Sequence, residues 1–110
     1  MSQEPEATPV VCNPQALSRE AWAEHQATTE RLFNELPEPA EELSDGYTFR
    51  FPAATLPLVA AFVEYERRCC PFFTFHLTVP PGETAITLSM TGSPEAKAVI
   101  RAELVDRSNV

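Results

Sequence analysis

Apolar positions along this chain recur with two different periods, and prolines stand where one period gives way to the other. Leu17, Ala21, Thr28 and Leu32 recur at helical spacing, and Trp22, Thr29, Phe33 and Leu36 widen the stripe. Ser18 is placed to cap this first helix, with Glu20 in the first turn, where a negative charge suits the helix dipole. Pro37 is expected to end it. Residues 37–45 hold two prolines and four acids and read as an exposed linker closed by an Asp45-Gly46 turn. Tyr47, Phe49 and Phe51 then alternate with polar residues, which predicts a strand that Pro52 stops.

Thr55 can cap a second helix, which carries Leu58, Phe62, Tyr65 and Cys69 along one line and Val59, Val63, Glu66 and Cys70 along the next. That helix is broadly apolar as far as Glu64, so burial against a sheet is expected. Beyond Pro71, Phe73, Phe75, Leu77 and Val79 alternate with Phe72, Thr74, His76 and Thr78. Pro80-Pro81-Gly82-Glu83 turns the chain, and Ile86, Leu88 and Met90 alternate in their turn, predicting a β-hairpin. Ser93-Pro94-Glu95 opens a last helix that buries Val99, Ile100 and Leu104 and frays after Asp106.

These elements define an α+β fold, a small sheet containing an antiparallel hairpin and packed against three helices. Val10-Val11-Cys12 could form a short leading strand; the element order would then match a thioredoxin-like fold, with Cys12 before the first helix. A chain of 110 residues suits one domain. We place a loose tail over residues 1–9 and a single α+β domain over 10–106. Phe49, Phe51, Phe62, Phe75, Leu77, Ile86 and Leu88 are expected to share one core.

The net charge of −8 disfavours direct binding to nucleic acid, whose phosphates would be repelled. No run approaches the roughly 18 apolar residues of a membrane helix. Residues 1–9 contain two glutamates, no base and no apolar stretch, unlike a secretory signal. A cytoplasmic location is therefore expected, with reduced thiols. The odd count of three cysteines argues against a structural disulfide framework.

Those three cysteines are the candidate chemistry. Proline disfavours helical angles at the residue before it, so the second helix should end near Cys69 and leave Cys70 extended. Cys69 continues an apolar line, and core packing as a small hydrophobe is its plain reading. Cys70, at the junction, is expected to be the more accessible and reactive of the pair. Cys12 has the weakest packing role, and a place near a helix N-terminus would favour its thiolate. The helix C-terminus disfavours thiolate at Cys69 and Cys70, an effect that Arg67 and Arg68 can offset. Adjacent cysteines have Cα atoms about 3.8 Å apart, short of the usual disulfide span, so a Cys69–Cys70 bridge would be strained.

The run Glu66-Arg67-Arg68-Cys69-Cys70-Pro71-Phe72-Phe73, with residues 45–52 upstream, resembles a group of small, poorly characterised bacterial proteins. Some members of that group are encoded near metal-resistance or metal-regulatory genes, and the resemblance implies a soft-metal or thiol role. It assigns no catalytic residue.

Three readings follow. In the first, Cys70, Cys69 and Cys12 hold a soft ion such as mercury, copper or arsenic, since soft sulfur matches soft acceptors. Zinc fits less well, because the usual two-residue spacer between cysteines is absent. His25 or His76 could supply a fourth ligand, although ordinary surface is the plainer reading of each. Glu66 could act as ligand or base, although a solvated or salt-bridged glutamate is again plainer. In the second reading Cys12 and Cys70 serve a thiol–disulfide redox enzyme or sensor. In the third the protein is a non-enzymatic interaction domain with incidental cysteines.

Overall fold

A computed structural model of the chain describes residues 10–34, 36–82 and 84–108; the expected tail over 1–9 lies outside them. Helix α1 (Arg19–Phe33) begins where expected, with the Ser18 hydroxyl accepting from the Ala21 N–H. It ends three residues before Pro37 is reached, at an Asn34 cap. Strands β1 (Glu41–Leu43) and β2 (Gly46–Pro52) form an antiparallel hairpin. Helix α2 (Leu56–Cys69), strands β3 (Thr74–Thr78) and β4 (Ala85–Thr91), and helix α3 (Pro94–Ile100) complete the fold. A π-helical stretch, Arg101–Val105, carries α3 on to a last turn, Asp106–Ser108, beyond the fraying point expected from sequence.

The sheet order is β1-β2-β4-β3 and every pairing is antiparallel. The predicted hairpin between β3 and β4 is present, with Leu77 opposite Leu88 and Phe75 opposite Met90. Two expectations about the strands change. The linker over 37–45 contains β1, because Glu41 and Glu42 pair with Thr48 and Tyr47 while Lys97 binds Glu42 at 2.7 Å from across the layer. Residues 10–12 form no strand, so the thioredoxin-like order is not realised.

Strand alternation sorts the sheet into two faces. Tyr47, Phe49 and Phe51 of β2 stand opposite Met90, Leu88 and Ile86 of β4, and all six are buried beneath the helices. The other face is polar, with Thr48 and Ser89 sharing a 2.7 Å hydroxyl hydrogen bond. Phe33 of α1 meets Phe49 edge-on at 5.0 Å and lies against Phe62 of α2 at 5.0 Å, so one aromatic cluster ties both helices to the sheet. Leu77 departs from the expected core at 38% exposure, on β3, an edge strand with a neighbour on one side only. Gly46 is required by close approach: a Cβ there would run into the Met90 carbonyl oxygen of β4. Among the described residues no helix is long and apolar enough to cross a membrane.

A candidate thiol centre where two helix ends meet

Pro71 stops α2 as expected, and Cys70 leaves helical geometry at φ −128°, ψ 75° while its N–H still donates to the Glu66 carbonyl. The turn does not expose it. Cys69 and Cys70 are each only 1% exposed, which corrects the expectation that Cys70 is the accessible thiol. The covering segment comes from upstream. A 3-10 turn, Pro14–Ala16, capped by the Asn13 side chain, folds residues 12–17 back onto α2, and Leu17 joins both cysteines in one buried apolar cluster. The Asn13 N–H donates to the Cys69 carbonyl at 2.6 Å, satisfying one of the carbonyls that a helix end leaves unpaired.

That docking brings Cys12 onto Cys70, and the two form a disulfide with Cα atoms 4.4 Å apart across 58 residues of chain. The odd cysteine count had argued against such a bond. It fails as a guide here because one residue of the adjacent pair is left over by geometry: Cys69 points back along α2 and remains a free, buried thiol. Its sulfur lies 3.7 Å from that of Cys70. All three sulfurs thus form one cluster.

Beside them lies a buried pair that the sequence reading placed at the surface. His25 is 3% and Glu66 8% exposed, and the His25 Nε2–H donates to Glu66 Oε1 at 2.7 Å. His25 also stacks on Phe62 at a centroid distance of 5.4 Å. The thiol of Cys69 is 3.9 Å from that same Glu66 oxygen. The signal for both residues was present: His25 sits on the helical stripe between Ala21 and Thr28, and Glu66 on the line of Val59 and Val63. His76, in contrast, is exposed on β3.

Burial, followed by the neighbouring Glu66 charge, pushes the Cys69 thiol up to about 11. Arg67 and Arg68 do not counter this, since both are exposed and pair with Glu64 at 3.7 and 3.6 Å. A cavity of about 150 Å³ opens on this centre, lined by the cysteines, His25 and Glu66 together with Leu104 and Arg107 from the final helix. Cys12, Glu66 and Cys70 offer ligand atoms within 4.8 Å of one another, as do His25, Glu66 and Cys69. Comparison with protein-family models, curated proteins and solved structures finds no match to this chain.

Proposed function

We propose that the protein binds a soft metal ion, of the Hg(II), Cu(I) or trivalent arsenic type, through the sulfurs of Cys12, Cys69 and Cys70 in its reduced state. The observation that supports this reading best is the convergence of the chain's three cysteine sulfurs, those of Cys69 and Cys70 buried and that of Cys12 half-buried, from positions up to 58 residues apart. Soft sulfur donors match soft acceptors. Opening the Cys12–Cys70 bridge takes two electrons and two protons from an external thiol reductant. Metal binding then releases the protons of the ligating thiols. A reducing compartment such as the cytoplasm suits that state. The resemblance of residues 66–73 to a group of bacterial proteins, some of them encoded near metal-resistance or metal-regulatory genes, favours the same reading.

The Cys12–Cys70 bond also favours a second reading, thiol–disulfide exchange. A Cys69 thiolate 3.7 Å from Cys70 Sγ can attack it, forming a Cys69–Cys70 bond and releasing the Cys12 thiolate, which takes up the proton. No electrons are gained or lost in that step, and the strained product would be transient.

Metal titration of the reduced protein, with single Cys→Ser variants at positions 12, 69 and 70, separates the readings. The metal reading expects one ion per chain and a weakening of about tenfold or more in each variant. Unchanged affinity in the Cys70→Ser variant overturns it and favours incidental or exchange cysteines.

A further inference from the structure

Most of the soft-metal site is unavailable while Cys12 and Cys70 are bonded, yet a different set of donors remains intact in that state. His25, Glu66 and Cys69 come from α1 and α2, which pack side by side, and each is buried. Their ligand atoms lie within 4.8 Å of one another, with Glu66 Oε1 between His25 Nε2 at 2.7 Å and Cys69 Sγ at 3.9 Å. One nitrogen, one oxygen and one sulfur donor make a mixed set that suits a borderline ion better than a soft one. The cavity of about 150 Å³ touches all three residues and leaves room for a water as fourth ligand.

A second observation concerns His25 itself. Its Nδ1 is buried and has no hydrogen-bond partner among the described residues, which is uncommon for an interior polar atom. Among the described residues only the Nε2–Glu66 contact holds the ring by a hydrogen bond, so it can turn or shift tautomer without losing a second one. A carboxylate next to a histidine is also the usual arrangement around ligating imidazoles, whether as a ligand or as the group that orients the ring.

We propose that His25, Glu66 and Cys69 form a borderline-metal site, of the zinc class, that works while the Cys12–Cys70 disulfide is closed. Metal–ligand bonds of about 2.0 to 2.3 Å require the three donors to close up slightly around the ion. On binding, the Cys69 thiol proton passes to solvent, the His25 proton moves from Nε2 to Nδ1 so that Nε2 ligates as neutral imidazole, and no redox change occurs. The bridge then selects the metal class. Closed, it leaves a mixed nitrogen, oxygen and sulfur set; open, it adds two thiolates and shifts preference toward soft ions. The first half of this statement does not depend on the soft-metal reading, because it concerns the oxidised protein alone.

The test is Co(II) titration of the disulfide-bonded protein without reductant, followed by displacement with Zn(II). One equivalent of Co(II) should give a thiolate-to-cobalt charge-transfer band and the visible bands of a tetrahedral ion, both lost on adding Zn(II). The Cys69→Ser variant should lose the charge-transfer band, and His25→Gln should weaken affinity about tenfold or more. Thermal melts of both variants before metal addition identify the folded samples; if His25→Gln does not fold, the parent and Cys69→Ser spectra decide alone. The absence of a thiolate-to-cobalt band in the oxidised parent overturns the proposal, as does equal binding by Cys69→Ser. Mercury binding by the reduced protein is scored separately, so failure of one reading leaves the other distinguishable.

Discussion

Opening the Cys12–Cys70 bond is expected to destabilise the protein without unfolding it. The bond joins residues 58 apart in sequence. Closing a loop of that length in the unfolded chain corresponds to about 4 kcal/mol by the chain-entropy relation, and measured values more often fall at about 2 to 4 kcal/mol. The segment it tethers buries little of its own, with Leu17 as its main apolar anchor. The larger core of Phe33, Phe49, Phe51, Phe62, Ile86, Leu88 and Ile100 does not include the cysteines and should survive reduction. Urea denaturation of the oxidised protein, the reduced protein and a Cys12→Ala variant measures this directly. The reduced parent and the variant should agree to within about 0.5 kcal/mol, and both should fall about 2 to 4 kcal/mol below the oxidised parent. Coincident oxidised and reduced transitions would refute the reasoning. So would loss of near-ultraviolet dichroism on reduction, since the aromatic core would then depend on the bridge.

Other expectations follow from the same packing. Phe62, fully buried between α1 and the sheet, should cost about 3 to 5 kcal/mol on truncation to alanine, measured by the same titration. Gly46→Ala should destabilise by more than 1 kcal/mol, roughly the cost of forcing a strand away from its neighbour, because its new methyl would meet the β4 backbone. Alkylation of Cys69 at neutral pH should be slow and should accelerate as pH rises toward about 11. The linked stability has a fixed sign: folding holds the thiol proton more tightly than the unfolded chain, whose thiol ionises near its ordinary 9.0. Stability from this group is therefore fully present below about pH 9 and is lost as pH climbs toward 11; a chevron or melt showing the reverse trend would contradict it.

Local signals in the sequence specify most of the fold. Ser18 and Ser93 cap their helices, accepting from Ala21 and Ala96, and strict alternation places Phe49, Phe51, Ile86 and Leu88 on the buried face. Thr55 marks the start of α2 but does not cap it; its hydroxyl donates back to the Pro52 carbonyl at 2.7 Å. What alternation could not specify is strand order. Leu77 has the pattern of a core residue, and only its place on the outer strand exposes it. The site shows the same division. Cysteines 69 and 70 are legible as a helix-end pair because Pro71 follows them. Their meeting with Cys12 depends on how the 3-10 turn at Pro14–Ala16 docks on α2, a long-range contact with no local signature. Burial of His25 and Glu66 is a pairing effect: each is costly to bury alone, and each satisfies the other.

The central claim is that three sulfurs can share one ion, and X-ray absorption at the metal edge tests it most directly. The reduced protein loaded with one equivalent of Hg(II) or Cu(I) should show three sulfur scatterers in the innermost shell, falling to two in the Cys12→Ser, Cys69→Ser and Cys70→Ser variants. An innermost shell with fewer than three sulfurs in the parent, or one unchanged by all three substitutions, would contradict the account.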